Sequence, residues 1–135
     1  MEDRSGIVRA AAIYDVLVTT PFALPGLAEW NLASFAELHE KLGLAGEMPT
    51  FSALHMLFVC MFGATEVVWY IVRLRNPRPI YGLYDGLLRV VFAGCMGWYL
   101  AAGATQILIG FLVLEVFWAV LQLGDYARRK TRRTG

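Results

Sequence analysis

The chain has 135 residues, 58% of them hydrophobic and 17% charged, with a formal net charge of +1. A soluble domain of this size cannot hide so much apolar surface, so the composition points to a single domain solvated by lipid. The near-neutral charge leaves no electrostatic footprint for a nucleic-acid partner.

Four apolar segments follow one another, at about 7–27, 51–72, 80–102 and 105–123. Each is close to the ~20 residues a helix needs to cross a bilayer. Backbone groups in lipid must be satisfied within the segment, which predicts helices. The short alternating segments of a membrane barrel are absent from the sequence.

The first segment starts among Arg4 and Arg9 and carries Pro21 and Pro25 in its outer half, where they kink or end the helix. It is longer than the core of a cleavable signal, and no A-x-A-like site closes it. Residues 29–50 then carry Glu29, Glu37, Glu40 and Glu47 against Lys41. Ser34 and Glu37 have capping-box spacing, and Leu38 with Leu42 forms a stripe. This predicts a short interfacial helix from about Phe35 to Leu42, beside Trp30. The second connection, 73–79, reads RLRNPRP, with three arginines and no acid. The third, near Gly103, is so short that the last two helices form a tight antiparallel hairpin. The end of the chain carries Arg128, Arg129, Lys130, Arg132 and Arg133, and disorder is expected past about Lys130.

Short basic loops stay in the cytoplasm. The expected fold is therefore all-α: an integral membrane four-helix bundle over 1–135, N-in and C-in, with a short interfacial helix in the outer loop. Residues 124–135 are expected to be a basic cytoplasmic tail that fixes topology or binds anionic lipid headgroups.

Five ionisable residues fall inside the apolar segments: Asp15, Glu66, Asp85, Arg89 and Glu115. Counted from the inner flanks at ~1.5 Å per residue, Asp15 lies about 9 Å deep, Glu66 and Asp85 about 10 Å, Glu115 about 15 Å and Arg89 about 16 Å. All four helices thus contribute to one layer in the inner half of the membrane. Such residues cost roughly 2.5–3.5 kcal/mol each at a helix centre, so they are expected to face inward and pair. Asp85 and Arg89, one turn apart, can meet on one face. Asp15, Glu66 and Glu115 then remain without a cationic partner in the layer. A carboxyl that holds a proton in a dry cavity can donate a hydrogen bond or exchange that proton. Helix–helix glue is the plainer role for the same charges.

His55 lies eleven residues before Glu66 on nearly the same face, with Phe62 between them. It reads either as the outer end of a proton route or as an interfacial histidine bonded to the outer loop. Gly82 and Gly86 form a GxxxG that lets helices approach closely, within the bundle or against another copy. Trp69, Tyr70, Tyr81 and Tyr84 read as an inner aromatic belt, while Tyr14, Trp98 and Trp118 lie deeper and pack or line a cavity. Cys60 and Cys95 read as small buried hydrophobes. There is no phosphate loop, no nucleophile elbow and no tetrahedral ligand set from His39, His55 and the cysteines. Neither a metal nor a cofactor is predicted.

The layout resembles the DoxX-like small four-helix membrane proteins. The shared features are a first helix closing on prolines (PFALPGL), an amphipathic outer segment, a basic turn after the second helix (VRLRNPRP) and a hairpin of the last two helices. The resemblance spans most of the chain and implies a bacterial inner membrane. For some members it implies a place as a small subunit in quinone-dependent oxidation, though it transfers no catalytic residue. The architecture is also similar to that of EXPERA-type sterol isomerases and receptors, four-helix bundles with buried acids around an apolar ligand. Three readings of function follow. The acidic layer, with Asp15, Glu66, Asp85, Arg89, Glu115 and His55, binds a small apolar molecule such as a quinone, or exchanges protons, alone or within a homo-oligomer or larger membrane complex. Alternatively the chain is an accessory subunit whose layer is packing glue. The third reading is an isomerase-type enzyme using Glu66 or Glu115 as acid.

Overall fold

A computed structural model describes residues 4–134. Gly135 and the side chain of Arg133, which the sequence assigns to the basic tail, lie outside the described residues. The described residues form five α-helices: α1 (Gly6–Thr19), α2 (Leu27–Lys41), α3 (Ala53–Arg75), α4 (Pro79–Ala101) and α5 (Ile107–Thr134). Among the described residues, strand-like pairing is limited to one bridge between Glu47 and Ala104.

Ser5 caps α1, its hydroxyl accepting the Val8 N–H at 3.2 Å. The helix ends at Thr19, and Pro21 sits in a 3-10 turn, Thr20–Ala23, as the prolines predicted. The helix expected at the interface, α2, departs from expectation. It begins at Leu27 rather than Phe35, because Gly26 (φ 82°) turns the chain and its N–H donates to the Glu29 carboxylate at 2.5 Å. Ser34 does not cap; its hydroxyl donates to the Trp30 carbonyl inside the helix. The chain end departs as well. Helix α5 runs on to Thr134, with no proline to stop it and with Arg129 paired to Asp125 one turn back at 2.9 Å, so disorder past Lys130 is not observed.

Three helical stretches are long and apolar enough to cross a membrane: Gly6–Ala23, Ala53–Arg75 and Ile107–Arg132. The chain is therefore a helical protein with three candidate spans. Helix α4, outside these three, is as long as α3 and carries Asp85, Arg89 and the tyrosines Tyr81, Tyr84 and Tyr99.

Helix α1 lies against α3, and α4 packs along α5. Glycines sit where elements approach closely. A Cβ at Gly63 would overlap the Phe22 backbone in the 3-10 turn. Gly82 faces Val8 of α1 and Gly86 faces Leu123 of α5, so the GxxxG is used within the chain. The α2–α3 loop is tied to the α4–α5 turn by main-chain bonds: Glu47 N–H to Gly103 O at 2.9 Å, Thr105 N–H to Glu47 O at 3.2 Å and Gln106 N–H to Ala45 O at 2.9 Å. His39 Nδ1 and the Thr105 hydroxyl add a 2.8 Å contact.

The burial pattern is inverted relative to a soluble domain. The buried apolar side chains are few and mostly small, among them Val8, Ala11, Ala12 and Ala119. Ser5, Asp15, Glu66, Arg73, Asp85, Arg89, Gln122 and Asp125 are all buried, while large apolar residues of every long helix point outward. A polar interior with an apolar exterior suits lipid as the outer solvent.

Candidate functional site

Each long helix contributes a stripe at helical spacing: Val8, Ala11, Ala12 and Asp15 on α1; Gly63, Glu66, Tyr70 and Arg73 on α3; Gly82, Asp85, Gly86 and Arg89 on α4. On α5 the inward residues are Glu115, Ala119, Gln122 and Asp125. The small residues let the helices close, and the charges meet where they do.

Asp85 is the hub. Its carboxylate accepts from Trp69 Nε1 at 2.7 Å, Arg73 Nη1 at 2.8 Å, Arg89 Nε at 3.0 Å and Gln122 Nε2 at 2.8 Å. Asp15 accepts from Arg73 Nη2 at 2.6 Å and from Arg89 Nη2 at 2.6 and 2.7 Å. Arg89 Nη1 donates to Glu115 at 3.0 Å. Two arginines therefore hold three carboxylates drawn from α1, α4 and α5, and short charge-assisted bonds of this kind are the strong ones. The Arg89 guanidinium also lies 5.9 Å from the Tyr14 ring centre, and that of Arg73 lies 5.3 Å from the Trp69 ring.

Arg73 corrects the count of cations. The sequence places it with Arg75 and Arg78 in the basic turn, leaving Arg89 as the layer's one base. In the structure Arg73 is fully buried and Arg75 is exposed. The available signal was spacing, since Arg73 lies seven residues, two turns, after Glu66 and so on the same face. Asp15 therefore pairs with both Arg73 and Arg89, and Glu115 shares Arg89. Trp69 and Gln122 also belong to the network, although Trp69 reads from sequence as interfacial.

Glu66 stands apart. It is 8% exposed and makes no hydrogen bond or ion pair among the described residues. Together with Asp15, Asp85, Arg89 and Glu115 it forms the polar end of a cavity of about 340 Å³. The remaining wall is mainly apolar, with Val18 and Phe22 from the first helix and its turn, Phe62 from α3, Leu88 and Phe92 from α4, and Leu108 and Phe111 from α5. Glu47, Met48 and Pro49 of the α2–α3 loop line the far end. The volume falls at the lower end of the ~300–1,000 Å³ typical of small-molecule sites.

His55 is not brought to this cluster. It is exposed at the start of α3, where its Nδ1 accepts the Ser52 N–H at 3.2 Å. The expected stripe from His55 to Glu66 is interrupted by Phe62, whose ring packs 5.9 Å from Phe92. Trp98 is 75% exposed and lines no part of the cavity, while Trp118 packs on Tyr14 at 5.5 Å. Cys95 is exposed and Cys60 half-buried, so neither is the fully buried residue the sequence suggests. A second polar knot sits where the start of α1 meets the α3–α4 turn and α5: the buried Ser5 hydroxyl donates to Asp125 at 2.6 Å, and the Ser5 N–H donates to Pro77 O at 2.8 Å.

Comparison with protein-family models, with curated proteins and with solved structures gives no match.

Proposed function

We propose that this chain is a four-helix integral membrane protein, with both ends cytoplasmic, whose cavity binds a small apolar molecule by a polar head. The carrying observation is Glu66, a nearly buried carboxyl without a partner at the polar end of an otherwise apolar cavity. Helix α4 supports the fourth span: its charged residues turn into the network, while Leu87, Val90, Val91 and Trp98 point outward. The basic turn at Arg75 and Arg78 and the basic end of α5 support the cytoplasmic assignment. The layout shared with DoxX-like proteins supports a bacterial inner membrane and a place beside a larger complex.

The network of two arginines and three carboxylates favours a structural role for its own members. It links helices that would each be costly in lipid alone, and its ion pairs all lie within the chain, with Arg73 Nε and Gln122 Oε1 buried without a partner. Glue and site then coexist: Asp15, Arg73, Asp85 and Arg89 hold the bundle, and Glu66 and Glu115 face the cavity. Proton relay fits less well, because the acids are separated by arginines that do not release protons.

The test is mass spectrometry of small molecules that co-purify in mild detergent. Val18→Trp fills the cavity, and Leu17→Trp, on the exposed face, is the control. An apolar compound should accompany wild type and Leu17→Trp and be lost from Val18→Trp. Its absence from all three well-folded proteins would leave the accessory-subunit reading in its place.

A further inference from the structure

The hydrogen-bond inventory at the polar end of the cavity is lopsided. Arg89 is the one cation lining it, and each of its three nitrogens already donates to a carboxylate. The Thr19 hydroxyl donates to the Asp15 carbonyl, so what it offers the cavity is its oxygen. The Trp69 N–H is committed to Asp85. Against this stand open acceptors. Both oxygens of Glu66 are without a donor, and Glu115 uses only Oε2, towards Arg89. Four carboxylates, of Asp15, Glu66, Asp85 and Glu115, face two guanidiniums, of Arg73 and Arg89, which leaves two acids in excess.

We propose that the cavity selects a cationic amphiphile, an apolar body ending in a protonated amine that donates to Glu66 and Glu115. This rests on the ligand-binding reading above. An ammonium brings up to three donors and a positive charge to a place with unused acceptors and surplus negative charge. A carboxylate or phosphate head would meet like charge with no uncommitted cation to receive it. A neutral carbonyl head finds one open donor in the lining, the second N–H of Arg89 Nη1, and leaves the two surplus acids uncompensated. The size of the body follows from the volume: at ~30 Å³ per water-sized group, about eleven heavy atoms fill the space.

Three chain-matched probes test the charge rule: decylamine, decanoate and the neutral ketone 2-undecanone. Each is titrated calorimetrically into the whole protein in nanodiscs of zwitterionic phosphatidylcholine, which removes lipid charge from the comparison. Wild type should bind decylamine on the order of ten-fold more tightly than the ketone, the scale of one charge-assisted hydrogen bond. Decanoate should show no saturable binding. Glu66→Gln should bring decylamine down to the level of the ketone, and Glu37→Gln, on the exposed face of α2, should leave it unchanged. Equal or tighter binding of the ketone or decanoate to wild type overturns the charge rule and leaves the cavity reading standing. Saturable binding of none of the three overturns the charge rule, and with no co-purifying compound the cavity reading falls too. The order of the probes on wild type decides the matter without any variant, so poor folding of Glu66→Gln does not block the test.

Discussion

Arg73 bridges Asp15 and Asp85 at 2.6 and 2.8 Å with no exposure of its own side chain. Its removal would strip one cation from two buried carboxylates at once. Two magnitudes compete here. Polar pairs between membrane helices are worth on the order of 0.6 kcal/mol in double-mutant cycles. Leaving a buried charge without its partner costs about 3–5 kcal/mol, because the remaining ion has lost both water and its counter-charge. The second describes Arg73→Met, so that variant should lose about 3–5 kcal/mol in denaturant titration in detergent, while Arg75→Met, two residues along and exposed, should stay within about 0.5 kcal/mol. Equal effects would make the network incidental. The sequence reveals Asp15, Glu66, Asp85, Arg89 and Glu115 as charges stranded in apolar runs. Arg73 escapes that test because it stands where the apolar run meets the basic turn, and a side chain long enough to reach inward looks no different there from one that reaches out.

Helices α3 and α1 show how small residues place the site. Gly63 lies one turn before Glu66 and meets the backbone at Phe22, which draws α3 onto the turn after α1. Gly94 of α4 has open space around it. Gly63→Ala should therefore destabilise by about 1–3 kcal/mol through overpacking, whereas Gly94→Ala should stabilise by about 0.5–1 kcal/mol through helix propensity. Thermal unfolding of both variants in one detergent checks the opposite signs. At this scale helix positions were legible from apolar length and from the prolines. The ends were not: α2 starts on a glycine turn and Glu29, a signal without the serine that the capping pattern expects, and α5 continues because charge pairs one turn apart support a helix that composition alone reads as disordered.

For the whole molecule, the apolar exterior and the buried charges make the same statement about solvent, and charge asymmetry adds direction. Single cysteines at Glu37 on α2 and Arg132 on α5, both exposed positions, would report it in a chain with Cys60 and Cys95 replaced by alanine. A membrane-impermeant maleimide should label Glu37→Cys on intact cells and Arg132→Cys only after lysis. Labelling of both from outside would mean an even number of crossings between them in place of the three formed by α3, α4 and α5, and labelling of Arg132→Cys alone would invert the assignment. The shared depth of the five charges was readable because a helix advances a fixed distance per residue. The cavity was not, because it arises from how far apart the helices stand, and spacing along one helix carries no information about the gap to the next.

The bridge between Glu47 and Ala104 bears on affinity as well as shape. Loop residues 42–52 are held to the α4–α5 turn by main-chain bonds, and Gly46 (φ 90°) fits there only because it lacks a Cβ that would overlap the Ala104 carbonyl. The wall made by Glu47, Met48 and Pro49 is thus ordered during folding. A molecule entering the cavity meets a surface already set and gives up little of its binding free energy to arrange it, so even a small occupant with few contacts can be held. Pre-organisation of this kind resides in the backbone, and side chains of the loop can change while the wall keeps its place.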